Sequence, residues 1–298
     1  MTLNGHDAHV PARTIQENEV ETAVFLAILV AGFMHAGWNA LIKVGLDRFS
    51  SLLLIVLVQM ALSLILLPFF AFPVMASWPW ILASAIIHTA YKLSLISAYE
   101  HGDLSQVYPL ARGSAPLIVA LASVPLLGES LPPSKMLAIA SIGLGVCLMS
   151  LRGGVNGRMP AKAFGLALVT AGCTASYTLV DGVGARLSES ASGFILVTTL
   201  IDGVFTCAYS LAKRGPKAFI KVVPAWRSGV IAGTMSLASY WIAIWAFTKA
   251  PIALVAALRE TSVLMALLIA VIFLKERTGP SRIAAASLIT GGVVLMRL

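Results

Sequence analysis

Charge is scarce in this chain. Of its 298 residues, 11% are Asp, Glu, Lys or Arg, whereas 58% are hydrophobic. An ordinary soluble domain carries roughly 25% charged residues, and a single core cannot hide this much apolar surface from water. Lipid as solvent removes the conflict, because apolar side chains can then face outward. Cysteine is nearly absent as well. Cys147, Cys173 and Cys207 each lie in an apolar run, with no second Cys or His at ligand spacing. That excludes a disulfide framework or a cysteine-based metal cluster and leaves three small buried side chains. No GxxxxGK[ST] phosphate loop, no HExxH pair and no Ser/His/Asp order occurs. ATP-driven work, zinc hydrolysis and triad catalysis therefore have no support, and no metal, no cofactor and no catalytic residue is expected. Gly143-Leu144-Gly145 lies inside an apolar run, where glycines permit close helix contact. The first 21 residues lack the basic start and short apolar stretch of a secretory signal and read as a disordered polar tail.

The abundant feature is the long apolar run. A spanning helix needs about 20 mostly apolar residues. Ten stretches qualify, near 22–45, 50–72, 79–99, 105–127, 134–151, 163–183, 192–212, 227–247, 252–274 and 281–297. None alternates apolar with polar residues as barrel strands do, and lipid-exposed backbone must satisfy its own hydrogen bonds, so all are expected to be helices. The net charge of +8 would suggest nucleic acid on a soluble protein. Here the basic residues sit mainly between the apolar runs, where they suit lipid headgroups and topology control, and no nucleic-acid partner is expected.

The second half repeats the first. With Arg112 set against Arg259, residues 111–151 run beside 258–298 without a gap: Glu129 meets Glu276, Pro133 meets Pro280, Lys135 meets Arg282 and Gly145 meets Gly292. Earlier, Ala36-Gly37-Trp38-Asn39 matches Ala175-Ser176-Tyr177-Thr178, and Gln59 matches Asp202. The expected units are 22–152 and 153–298, five spans each. Five is odd, so the second unit enters the membrane upside down. Inverted repeats of this kind are found in secondary transporters, with the binding site at the repeat interface.

The sequence at this point resembles a known family. Two five-helix halves, the segment HAGWNALIK (35–43), Gly128-Glu129 after span 4 and Lys275-Glu276 after span 9 are similar to the EamA-type branch of the drug/metabolite transporter superfamily. YPLARGSAPL (108–117) and ALRETSVLMA (257–266) resemble a subgroup linked to phosphonate utilisation. The resemblance covers nearly the whole chain after residue 22. It implies ten helices around a central cavity, both termini in the cytoplasm, and export or exchange of amino acids or related metabolites.

Ionisable groups inside spans are costly and usually mark a pathway or a pair. Five spans carry polar stripes at helical spacing: His35, Trp38 and Asn39 in span 1; Ser84, His88, Tyr91 and Lys92 in span 3; Tyr108 and Arg112 in span 4; Thr174, Tyr177, Thr178 and Asp181 in span 6; Arg259 and Ser262, with Glu260 about 100° away, in span 9. Lipid offers such stripes no partners, so they are expected to converge. Arg112 and Arg259 each lie roughly 10 Å into their spans and, with Lys92, are expected to clamp the anionic part of a substrate. The alternative is that the arginines cap carbonyls or pair with Glu260, Asp181 or Asp202. Glu260 and Asp181 lead the candidates for proton coupling, beside Asp202, His35 and His88; a fixed ion pair is the alternative for Glu260. Glu129 and Glu276 read as interfacial salt bridges, with Lys135 and Arg282 close behind them. Trp241 and Trp245 share a face and suit either a cavity wall or packing. Pro109, Pro116 and Pro125 mark span 4 as the helix prone to kink and gate.

The expected protein is thus a monomeric secondary transporter, a probable-exporter type, of small polar metabolites in a bacterial-type inner membrane, contacting substrate and lipid. A membrane-embedded enzyme and a non-transporting scaffold are the competing classes. Orientation divides two lines of reasoning. Connections after odd-numbered spans hold 13 of the Lys and Arg residues, against 5 for the termini and the other connections, which places both termini outside.

Overall fold

A computed structural model describes residues 20–42, 47–102, 104–150, 159–272 and 279–297. The expected tail, and Glu276 with its neighbours Lys275 and Arg277, fall outside them. Among the described residues the chain is entirely helical: α1 (Thr22–Ile42), α2 (Arg48–Leu66), α3 (Trp78–His101), α4 (Leu104–Leu127), α5 (Pro133–Ser150), α6 (Ala161–Leu187), α7 (Ala191–Arg214), α8 (Lys217–Val222), α9 (Trp226–Phe247), α10 (Ile252–Arg259), α11 (Thr261–Ile272) and α12 (Pro280–Arg297). Eight segments are long and apolar enough to cross a membrane, α10 with α11 being one of them, and α5 is a shorter apolar helix. Many helices are apolar all round. On α1, Val24, Ile28 and Ala31 are buried while Leu26, Val30 and Phe33 are exposed, the pattern of a helix with protein on one face and lipid on the other.

The two halves pack on each other reciprocally. α3 lies against α6 and α9 against α1; α4 touches α6, and α11 touches α1. The equivalent helices α5 and α12 meet directly and run antiparallel. A Cβ on Gly145 would come within 2.7 Å of Ile289 and 2.9 Å of the Ala285 carbonyl. One on the equivalent Gly292 would come within 2.7 Å of both Ile142 and the Ala138 carbonyl. Ile142 and Ala138 are themselves the repeat equivalents of Ile289 and Ala285. The same contact is therefore made twice about a pseudo-two-fold axis, and bare glycine is what lets the backbones approach. Lys135, almost fully buried, donates to the carbonyl of Met296 near the end of α12, at 3.0 Å.

The expected kink in span 4 is not where the helical ladder breaks. α4 is one helix with Pro109, Pro116 and Pro125 inside it. The interruption falls in the proline-free span 9, at Glu260, between α10 and α11. There the Glu260 N–H turns back to Ala257 in a tightened turn, and Thr261 Oγ1 donates to the Leu258 carbonyl at 2.7 Å. A hydroxyl competing for backbone carbonyls beside two adjacent charges interrupts the ladder without proline.

Candidate functional site

Three buried polar clusters meet where the halves join. The first is an ion pair. Arg112 on α4 reaches Glu260 with Nη2 at 2.8 Å from Oε1 and Nε at 3.3 Å from Oε2. This two-point geometry suits a guanidinium and a carboxylate, and both side chains are about 5% exposed. The sequence alternative in which Glu260 pairs with an arginine is the arrangement found. Glu260 adjoins Arg259 in sequence yet bonds the arginine 148 positions away.

Arg259 is nearly buried and forms no carboxylate ion pair among the described residues. Its guanidinium lies over the ring of Tyr240 on α9, 4.8 Å from the centroid, a cation–π contact. Arg112, Arg259 and Glu260 line one cleft with Ala115, Pro116 and Val119 of α4, Thr174 and Thr178 of α6, and Ala256 of α10. The cleft is narrow, with room for about one water molecule. α4 belongs to one half of the chain, α6 and α10 to the other. Tyr108 and Tyr91 lie within the electrostatic reach of Arg112 and Glu260.

The second cluster centres on Asp181 of α6. Its Oδ2 accepts from the Tyr240 hydroxyl and lies 3.1 Å from Nε2 of His88 on α3. The His88 ring stacks on Tyr177 with centroids 4.0 Å apart, and Tyr91 meets Tyr177 edge-on at 5.5 Å. The third cluster joins α3 to α7. Lys92 bonds Asp202 and, at 2.9 Å, Thr206; Thr89 also donates to Asp202 at 3.0 Å. Two of the three cations expected in a clamp are thus already paired, and Arg259 is the exception.

Span 1 contributes less than expected. His35 lies in the field of Arg112 and Arg259 and meets Trp38 edge-on, with centroids 5.1 Å apart. Asn39, however, donates back to the His35 carbonyl of its own helix at 2.8 Å, and Trp38 Nε1 is buried without a partner. Tyr240, which links Asp181 to Arg259, lies outside the five polar stripes; its only signal in the sequence is a lone phenol in a largely apolar span. Its neighbour Trp241 packs on Phe70 and donates to Ser192 at 2.9 Å, a packing role.

Glu129 also has different partners from those expected. It does not bond Lys135. It accepts the N–H groups of Ile252 at 2.6 Å and Ala253 at 3.3 Å, so it caps α10 across the repeat interface. Gly128, at φ 65°, ends α4 and turns the chain so that Glu129 reaches there. Arg186 braces the cap at 3.4 Å and donates to the carbonyls of Phe247 and Ala250.

The EamA-like transporter family profile matches residues 22–151 and again 161–298, and the chain belongs to that family. It is a multi-pass membrane transporter of the drug/metabolite transporter superfamily. A protein of known crystal structure is similar over 92% of this chain and 98% of its own, with a TM-score of 0.72 and 17% identity, a likeness of fold. No curated protein matches the sequence.

Proposed function

We propose that the chain is a ten-span secondary carrier, built as two inverted five-helix halves, that exports a small anionic or zwitterionic metabolite across a bacterial-type inner membrane. Amino acids and related phosphonates are the substrate classes that fit. The observation behind this reading is the cleft where α4 of one repeat faces α6 and α10 of the other, lined by Arg112, Arg259 and Glu260. Buried charge at the junction of two repeats, next to an interrupted helix, is the arrangement of a carrier site. With Arg112 held by Glu260, Arg259 is the cation with capacity for a substrate oxyanion, and Thr174 and Thr178 line the same space. Arg112 and Glu260 then position that site rather than clamp the substrate, and Ala115, Pro116 and Val119 of α4 wall it. The experiment is uptake by purified protein in liposomes, using a panel of amino acids, aminophosphonates and polyamines. Saturable uptake of anionic or zwitterionic members is expected. Uptake of polyamines alone, or of nothing, counts against the proposal.

A further inference from the structure

We infer that Asp181, with His88 and Tyr240, is where the carrier binds its coupling proton, an inference that rests on the transport reading above. Asp181 is fully buried on α6. Both of its contacts, from the Tyr240 hydroxyl and from His88, fall on Oδ2. Oδ1 is buried with no hydrogen-bond partner. A carboxylate with one oxygen left bare in a low-dielectric interior is strongly disfavoured, and a proton on Oδ2, the oxygen that faces His88, removes the charge that makes it so. A metal ion would need several converging oxygen ligands. No group of three His, Cys, Asp or Glu side chains that could hold one occurs among the described residues.

The neighbours supply a route and a link to the cleft. The His88 side chain is 16% exposed while that of Asp181 is 0% exposed, so a proton bound for Asp181 arrives through a neighbour, and His88 is the neighbour able to take one up and pass it on. The imidazole takes a proton at one ring nitrogen and passes the one on Nε2 to Asp181, returning to its neutral form. Loss of the proton reverses these steps. Tyr240 joins this site to the solute site: its hydroxyl is on Asp181 and its ring is under the Arg259 guanidinium. The other charged or titratable groups on helices packed against α6 have different engagements. On α3, Lys92 bonds Asp202 of α7 and Tyr91 meets Tyr177. On α4, Arg112 bonds Glu260, with Tyr108 in the field of that pair. Arg259 of α10 lies on Tyr240.

Two measurements test the inference, and the first needs no substrate. In pH-difference infrared spectra of the lipid-reconstituted protein, a protonated-carboxyl C=O band should titrate in the wild type and vanish in Asp181→Asn. Tyr240→Phe, which keeps the carboxyl and removes its hydroxyl donor, should shift the band's frequency. No titrating band, or a band unchanged in both variants, overturns the inference. In liposomes, an imposed pH gradient should change wild-type accumulation severalfold relative to unbiased exchange, and that ratio should fall to about one in Asp181→Asn. A ratio unchanged in the variant overturns it, as does driving by a sodium chloride gradient in place of pH. Should the wild type move no solute of the panel, the transport reading fails, while the infrared result still judges the proton site.

Discussion

The two arginines of the cleft should fail in different ways when removed. Arg112 and Glu260 are a nearly dry, two-point pair at 2.8 Å and 3.3 Å. Two unit charges about 4 Å apart attract by about 4 kcal/mol at an effective dielectric of about 20. Removing one member of such a pair costs about 3–5 kcal/mol, because the other is left charged and buried. Arg112→Gln should therefore lower the thermal midpoint of the purified protein by roughly 6–10 °C, taking about 2 °C per kcal/mol for a chain of this length. Arg112→Gln with Glu260→Gln removes both charges and should recover most of that loss, giving a coupling energy well above the additivity limit of about 0.5 kcal/mol. Arg259→Gln strands no carboxylate, and the cation–π contact it loses is worth about 0.5–2 kcal/mol. That variant should stay within about 2 kcal/mol of the wild type in stability while liposome uptake falls at least about tenfold, the share of about 1.4 kcal/mol of binding. Additive Arg112 and Glu260 effects, or an Arg259→Gln variant as unstable as Arg112→Gln, would refute the division of roles.

The cap on α10 gives a second test: Glu129→Ala should cost about 0.5–2 kcal/mol of stability, and Arg186→Gln, which leaves the cap bonds intact, should cost less by the same thermal assay. Gly145→Leu and Gly292→Leu should impair folding to similar degrees, read as folded yield in membranes, since each drives a side chain into the same α5–α12 contact; unequal effects would contradict the pseudo-symmetry. Asp47, outside the spans, caps α2 and holds Arg214 and Lys221 at 2.9 Å each. Burial would raise its carboxyl, but hydrogen bonds from Lys221, Ser50 and Arg214 prevail and hold it well below the usual carboxylate range. Its contribution is then full above about pH 4 and is lost as pH falls through the depressed value; Asp47→Asn should flatten that part of the acid limb of a midpoint-versus-pH curve. The basic cluster Lys213, Arg214, Lys217, Lys221 and Arg227 between α7 and α9 should face the cytoplasm, so a fluorescent reporter fused after Leu298 should stay dark and a phosphatase reporter should be active.

What one strand of sequence reveals about this protein depends on whether the physics is local. The helices are legible because lipid demands long apolar runs, and the repeat is legible because Gly145 and Gly292 must both stay bare where α5 and α12 touch. Polar stripes on α3, α4, α6 and α10 announce a wet centre, since no lipid-facing helix gains from them. Pairing is not local. Glu260 is next to Arg259 in the chain, but adjacent helical side chains diverge by about 100°, and the turn at Glu260 points the carboxylate toward α4. Glu129 has Lys135 six positions on, but the left-handed Gly128 carries it to the start of α10, where bare N–H groups outcompete a lysine that is itself needed at the end of α12. The prolines of α4 drew attention for the same reason. A rule that scores residues by their own propensity weighs proline heavily and a threonine hydroxyl hardly at all, whereas the ladder gives way where Thr261 and two charges compete for backbone carbonyls beside the cleft. The break at Glu260 and the cap at Ile252 enclose α10, eight residues carrying Arg259.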